Sequence, residues 1–181
     1  MLTLTLSDNE NFFNEETFEF IHVKSRTIRL EHSLLSLSKW ESTWHKPFLG
    51  PDPKTTEETR DYVRCMIIDH NVPDYIVDLL SKEQIDRINE YIDSKMTATT
   101  FSEFHKSTGR SETITAELIY YWMISMNIPF ECQKWHLNRL LTLIRVCSIK
   151  NTPAKKMPRN SILSRNAALN AARKKKLNTK G

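Results

Sequence analysis

Cys132 and His136 stand four residues apart in a stretch whose apolar spacing predicts a helix, which would put both side chains on one face. A thiolate and an imidazole at that spacing are half of a structural zinc site. Closing such a site takes four ligands, and the sequence offers no second clustered pair. No metal is therefore expected. The other histidines, His22, His32, His45, His70 and His105, are scattered beside turns and polar residues and read as surface or half-buried side chains. Cys65, Cys132 and Cys147 are odd in number and far apart. With no secretion leader read at the start of the chain, they are expected as reduced thiols filling small apolar spaces.

Other catalytic patterns are missing. The 22 carboxylates are bound to include accidental pairs, but none accompanies a nucleophile or a phosphate-binding loop. Three glycines leave little material for a backbone phosphate cradle. The expectation is a non-enzymatic protein without a cofactor. Trp40 and Trp44 lie one helical turn apart, with Lys46 and Phe48 following. Aromatic rings beside a cation can stack on bases or present an apolar face to a partner protein, and rings at this spacing also build helix cores. Trp40, Trp44 and Phe48 are the candidate protein-binding residues.

Charge divides the chain. All ten basic residues after Ile149 lie in a segment with no acid, whereas the preceding residues hold 22 acids against 16 bases. The net +4 is thus a body of −6 joined to a tail of +10. Arg165, Arg173, Lys174, Lys175 and Lys176 are the candidates for electrostatic contact. Three readings stay open: a salt-sensitive nucleic-acid contact, a solubilising helix end suited to the helix dipole, or an arm that docks on an acidic protein surface.

The elements that must position these residues are mostly helical. Thirty-nine per cent apolar residues and three glycines fit a helical fold with few tight hairpins. The expected class is mainly α (α+β): a helical body with a small N-terminal β element and a basic C-terminal helix. The divisions are residues 1–32 as a β-hairpin element, 33–149 as a helical core, and 150–181 as a basic linker and helix. Alternation at Leu2, Leu4 and Leu6, at 18–23 and at 27–31 predicts strands, with Lys24-Ser25-Arg26 as a turn. Ser33, Thr55 and Ser81 are N-cap candidates, the last two with Glu58 and Gln84 completing capping boxes. The Thr55 helix is expected over 56–68, a short one over 74–80, and the Ser81 helix with Ile85, Ile88 and Ile92 inward. Residues 97–112 read as an exposed loop. Residues 114–126 are apolar on nearly all sides and predict a central buried helix, paired as a hairpin with a helix over 131–149. A last helix, capped by Asn160 or Ser161, reaches about Lys176. No stretch approaches about 20 continuous apolar residues, so no membrane span is expected.

Whole strings carry a resemblance. Leu30-Glu-His-Ser-Leu-Leu-Ser-Leu-Ser-Lys-Trp-Glu-Ser-Thr-Trp-His-Lys-Pro-Phe-Leu is similar to sequence in the structural gene module of tailed bacteriophages. So are Met96-Thr-Ala-Thr-Thr-Phe, Glu112-Thr-Ile-Thr-Ala-Glu-Leu-Ile-Tyr-Tyr-Trp-Met, and Ile128-Pro-Phe-Glu-Cys-Gln-Lys-Trp-His-Leu-Asn-Arg-Leu-Leu. The closing run from Ser164 to Gly181 fits as well. From Thr27 onward the chain resembles the phage tail assembly chaperones. The resemblance implies a protein of the host cell cytoplasm that coats the tape-measure protein, recruits tail-tube subunits, and leaves before the tail is complete. A nucleic-acid-binding protein using the basic tail, or a minor permanent virion component, are the alternatives.

Overall fold

The computed structural model describes residues 1–6, 11–14, 18–22, 25–101, 113–152 and 159–178. The fold is mainly helical, with a small N-terminal β element and a C-terminal helix. Two units are distinguished, Met1–Ser148 and Ile149–Gly181. The predicted turn at Lys24, most of the loop at 97–112 and the linker around Lys155 fall outside the described residues.

Strands β1 (Leu2–Leu6) and β4 (Arg26–Leu30) pair antiparallel, with Leu4 opposite Ile28. Between them in sequence, β2 (Asn11–Asn14) pairs with β3 (Glu19–His22). The outer pair therefore encloses the inner one, instead of β3 turning directly into β4 as the alternation suggested. Leu4, Leu6, Ile28 and Leu30 share one face and are buried, while Thr3, Thr5, Thr27 and Arg29 face out. Pairing β1 with β4 in this register puts all four apolar side chains on the same buried face, which a one-residue slip would undo. Strands β1 and β4 share one core with the helices.

Helix α1 (Leu34–Trp44) starts at Ser33, whose hydroxyl accepts from the Ser36 N–H. It ends with His45 in the left-handed region, at φ 52°. Helix α2 (Thr56–Met66) starts in the expected Thr55/Glu58 capping box. It stops two residues early because Ile67 and Ile68 leave to join β4: the Ile68 N–H donates to Arg29 O and the Glu31 N–H to Met66 O. Arg29 then grips Asp69, donating from both its backbone and its guanidinium.

A 3₁₀ helix (Asp74–Leu79) leads to α3 (Lys82–Asp93), capped by Ser81 and Gln84. Its buried positions are Ile88 and Tyr91, while the expected core residue Ile85 is 42% exposed. Helix α4 (Ala116–Ser125) packs mainly on α1, not in a hairpin with the following helix. The segment expected as one helix from 131 breaks into a 3₁₀ helix (Phe130–Lys134) and α5 (Leu137–Asn151). The break lies where His136 bridges to Ser33 and the Leu137 N–H donates to His32 O at 2.7 Å. Helix α6 (Arg159–Leu177) has no buried residue. No described helix is long and apolar enough to cross a membrane.

Candidate functional site

A set of chemically capable side chains in the first unit gathers around His32, a residue whose sequence surroundings predict a surface or half-buried histidine. His32 is only 2% exposed because it sits at the junction of β4 and α1, facing α2 and the start of α5. Its Nδ1 lies 2.5 Å from the Tyr62 hydroxyl, and its ring centroid is 5.1 Å from that of His136. Burial holds the Tyr62 phenol well above its ordinary range, so the hydroxyl keeps its proton and donates it to His32 Nδ1. Burial first, and the neighbouring His136 second, push the His32 pKa down to about 4.

His136 is equally committed. Its Nε2–H donates to the Tyr91 carbonyl at 2.9 Å, and its Nδ1 accepts from the Asn138 N–H at 3.3 Å. The Tyr91 hydroxyl donates to Glu31 at 2.6 Å, and burial first, with this bond second, raises the phenol's pKa. Each of these imidazole and phenol contacts ties one backbone element to another: β4 to α2, α3 to α5. Both phenol hydroxyls, His32 Nδ1 and both ring nitrogens of His136 are engaged in these bonds. The arrangement is that of a satisfied polar tie within the core. Cys132 and His136 do not share a helix, since the extended Trp135 separates the 3₁₀ turn from α5. Among the described residues no group of three or more metal-capable side chains occurs. Burial raises the Cys65 thiol to about 11, so it holds its proton at neutral pH.

The aromatic candidates are built into the same unit. Trp40 is 1% exposed, and its indole N–H donates to Glu58 O at 2.7 Å. That burial removes Trp40 from any direct partner surface. Trp44 stays half-buried and donates to Asp61 at 2.9 Å. Phe48 stacks on Tyr62 at 3.8 Å, edge-on to Trp40 at 5.0 Å, with the Lys54 ammonium over its outer face at 4.8 Å. The buried carboxylate of Glu41 accepts from the Phe48 N–H and, at 2.7 Å, from Ala116 N–H in the first turn of α4. That placement satisfies an orphan helix N–H and suits the dipole. Beside it opens a polar cleft of about 420 Å³, lined by Glu41, His45, Lys46, Thr115 and Glu117 among others.

The apolar surface lies elsewhere. Helix α4 buries Ala116, Ile119 and Met123, yet leaves Tyr121 63% and Ile124 62% exposed, and Phe130 after the following turn is 54% exposed. The all-round apolar pattern of 114–126 predicts burial on every side. The helix's inner face does pack on α1, but no described element covers the outer one. In the second unit, Arg165, Arg173, Lys174, Lys175 and Lys176 are all exposed on α6. Four consecutive residues turn by about 100° each, so positions 173–176 ring the helix instead of forming one basic face.

No family model, curated protein or solved structure matches the chain.

Two features go beyond what the sequence predicts. The His32–His136 pairing joins positions far apart in the chain, and no local pattern announces it. The exposed outer face of α4 did have a signal, because a helix apolar all round must either sit wholly inside the fold or meet a partner.

Proposed function

We propose that the chain is a non-enzymatic tail assembly chaperone of a tailed bacteriophage, acting in the host cytoplasm on the tape-measure and tail-tube proteins. One observation carries the reading: the apolar outer face of α4, with Tyr121 and Ile124 one turn apart and more than 60% exposed. A long helical client can bury such residues by laying its own apolar stripe against them. The phage-like strings name the client class, and one of them, running from Glu112, is the α4 segment itself. The exposed basic helix α6 adds electrostatic steering toward an acidic partner.

Deleting the gene tests this. Tails should fail to assemble, and mass spectrometry of purified wild-type particles should not find the protein. Normal tails without the gene refute the chaperone role; the protein within finished particles indicates a virion component instead. A second reading is favoured by the ring of cations at 173–176 with no acid anywhere in α6: binding to nucleic-acid phosphates. It requires affinity that falls steeply with salt and disappears when residues 150–181 are removed. Absence of binding at low salt eliminates it.

A further inference from the structure

Helix α5 presents Asn138, Thr142 and Arg145 at successive turns of one face. Across from them the chain leaving α3 contributes Lys95, Thr97, Thr99 and Thr100, and the two sides enclose a cleft of about 260 Å³. Phe101 completes the wall. The lining holds two cations and no carboxylate, and neither Lys95 nor Arg145 forms an ion pair among the described residues. The carbonyls at the end of α3 would normally lend the place negative potential. Here the Asn138 amide donates to both Ile92 O and Ser94 O, at 3.0 and 2.9 Å, and so quenches them.

The donors are arranged for an anion. The Arg145 guanidinium rests on the Phe101 ring at 4.1 Å, which fixes its plane and leaves its N–H edge to other partners. Thr97 Oγ1 accepts from the Thr99 N–H, so its own hydroxyl proton remains to be donated. Thr99 and Thr100 add two more hydroxyls. A carboxylate has two oxygens in one plane. Donors from two opposite walls, comprising a fork, a point charge and several hydroxyls, match a tetrahedral oxyanion better. The volume falls below the roughly 300 Å³ at which drug-sized ligands begin to fit, which selects a small headgroup.

We propose that this cleft binds a phosphate group, either as inorganic phosphate or as the end of a small phosphate monoester. The site is independent of the α4 surface and of the chaperone reading.

The test is an amide NMR titration of the full chain with inorganic phosphate, with sodium chloride at matched ionic strength as the control. A parallel titration with glycerol phosphate distinguishes the sources: tighter binding than inorganic phosphate assigns a monoester, and equal or weaker binding assigns the free ion. Saturable shifts are expected at 95–101 and 138–145. The double variant Lys95→Gln/Arg145→Gln should weaken binding by about tenfold or more while the circular dichroism spectrum is unchanged. Should that variant misfold, Thr99→Val/Thr100→Val is expected to weaken binding severalfold. Shifts that never saturate, shifts centred on α6, or unchanged affinity in the folded variant would overturn the proposal.

Discussion

The core around His32 and the surfaces of α4 and α6 use the same residue types to opposite ends. In the core, Tyr62, Tyr91, His136, Glu41 and Glu58 have their polar atoms bound to named partners within the first unit. On α6 no residue is buried, and on α4 two large apolar side chains face outward. Buried groups of the first kind hold a fold together, since leaving one unpaired costs more than the bond itself contributes. Groups of the second kind contribute little to stability. Aromatic and charged residues alone do not locate function in this chain; the state of their partners does.

If the contrast is right, the largest effect belongs to Trp40→Ala. It removes a fully buried ring and orphans the Glu58 carbonyl, and should cost about 3–5 kcal/mol in urea unfolding. A loss below about 1 kcal/mol would place Trp40 outside the core.

Acid should act next, through His32. Its folded pKa of about 4 lies below its ordinary 6.5, so the unfolded chain binds the extra proton first. Stability is then fully present above pH 6.5 and declines as pH falls toward 4, by roughly 3 kcal/mol in all. Below that both states are protonated and this loss stops. Glu58 and Asp69, held below the usual carboxylate range by Lys46 and Arg29, lose their contribution only as pH falls from about 4.5 and below. The interval from 4.5 to 6.5 therefore separates His32 from these two carboxylates. His32→Gln should flatten urea midpoints across it, and a slope unchanged in that variant would assign the titration elsewhere.

Thr55→Ala should cost about 1 kcal/mol by opening one capping box. Smallest of all, changing Arg173, Lys174, Lys175 and Lys176 to Gln should leave stability within about 0.5 kcal/mol. The same variant should lower affinity for an acidic partner or for nucleic acid, with a shallower salt dependence. Marked destabilisation would mean that α6 belongs to the fold.

Much of the fold was legible because its signals are local. Ser33 caps a helix as expected, Thr55 and Ser81 do so where their spacing to Glu58 and Gln84 predicts, and Leu4 and Leu6 face inward as their alternation requires. The rest depends on partners distant in sequence. Nothing near β1 shows that it pairs with β4 around β2 and β3. Nothing near Ile67 shows that it leaves α2 for the sheet, or near His136 that a bridge to Ser33 breaks the helix. Of the candidate site, α6 was visible as charge, whereas the Trp40 spacing pointed to core more than to a partner surface, and Trp40 is core. Of the cleft, Asn138, Thr142 and Arg145 recur at helical spacing within α5, but nothing local shows that the segment from Lys95 to Phe101 faces them.

The central claim is that binding resides on a surface the fold does not need. The direct measurement is complex formation with the tape-measure protein on co-expression, comparing the wild-type chain with Tyr121→Asp/Ile124→Asp. A stable complex is expected for the wild type and none for the variant, with both showing the same thermal midpoint. A variant that still binds, or a wild type that never does, contradicts the claim.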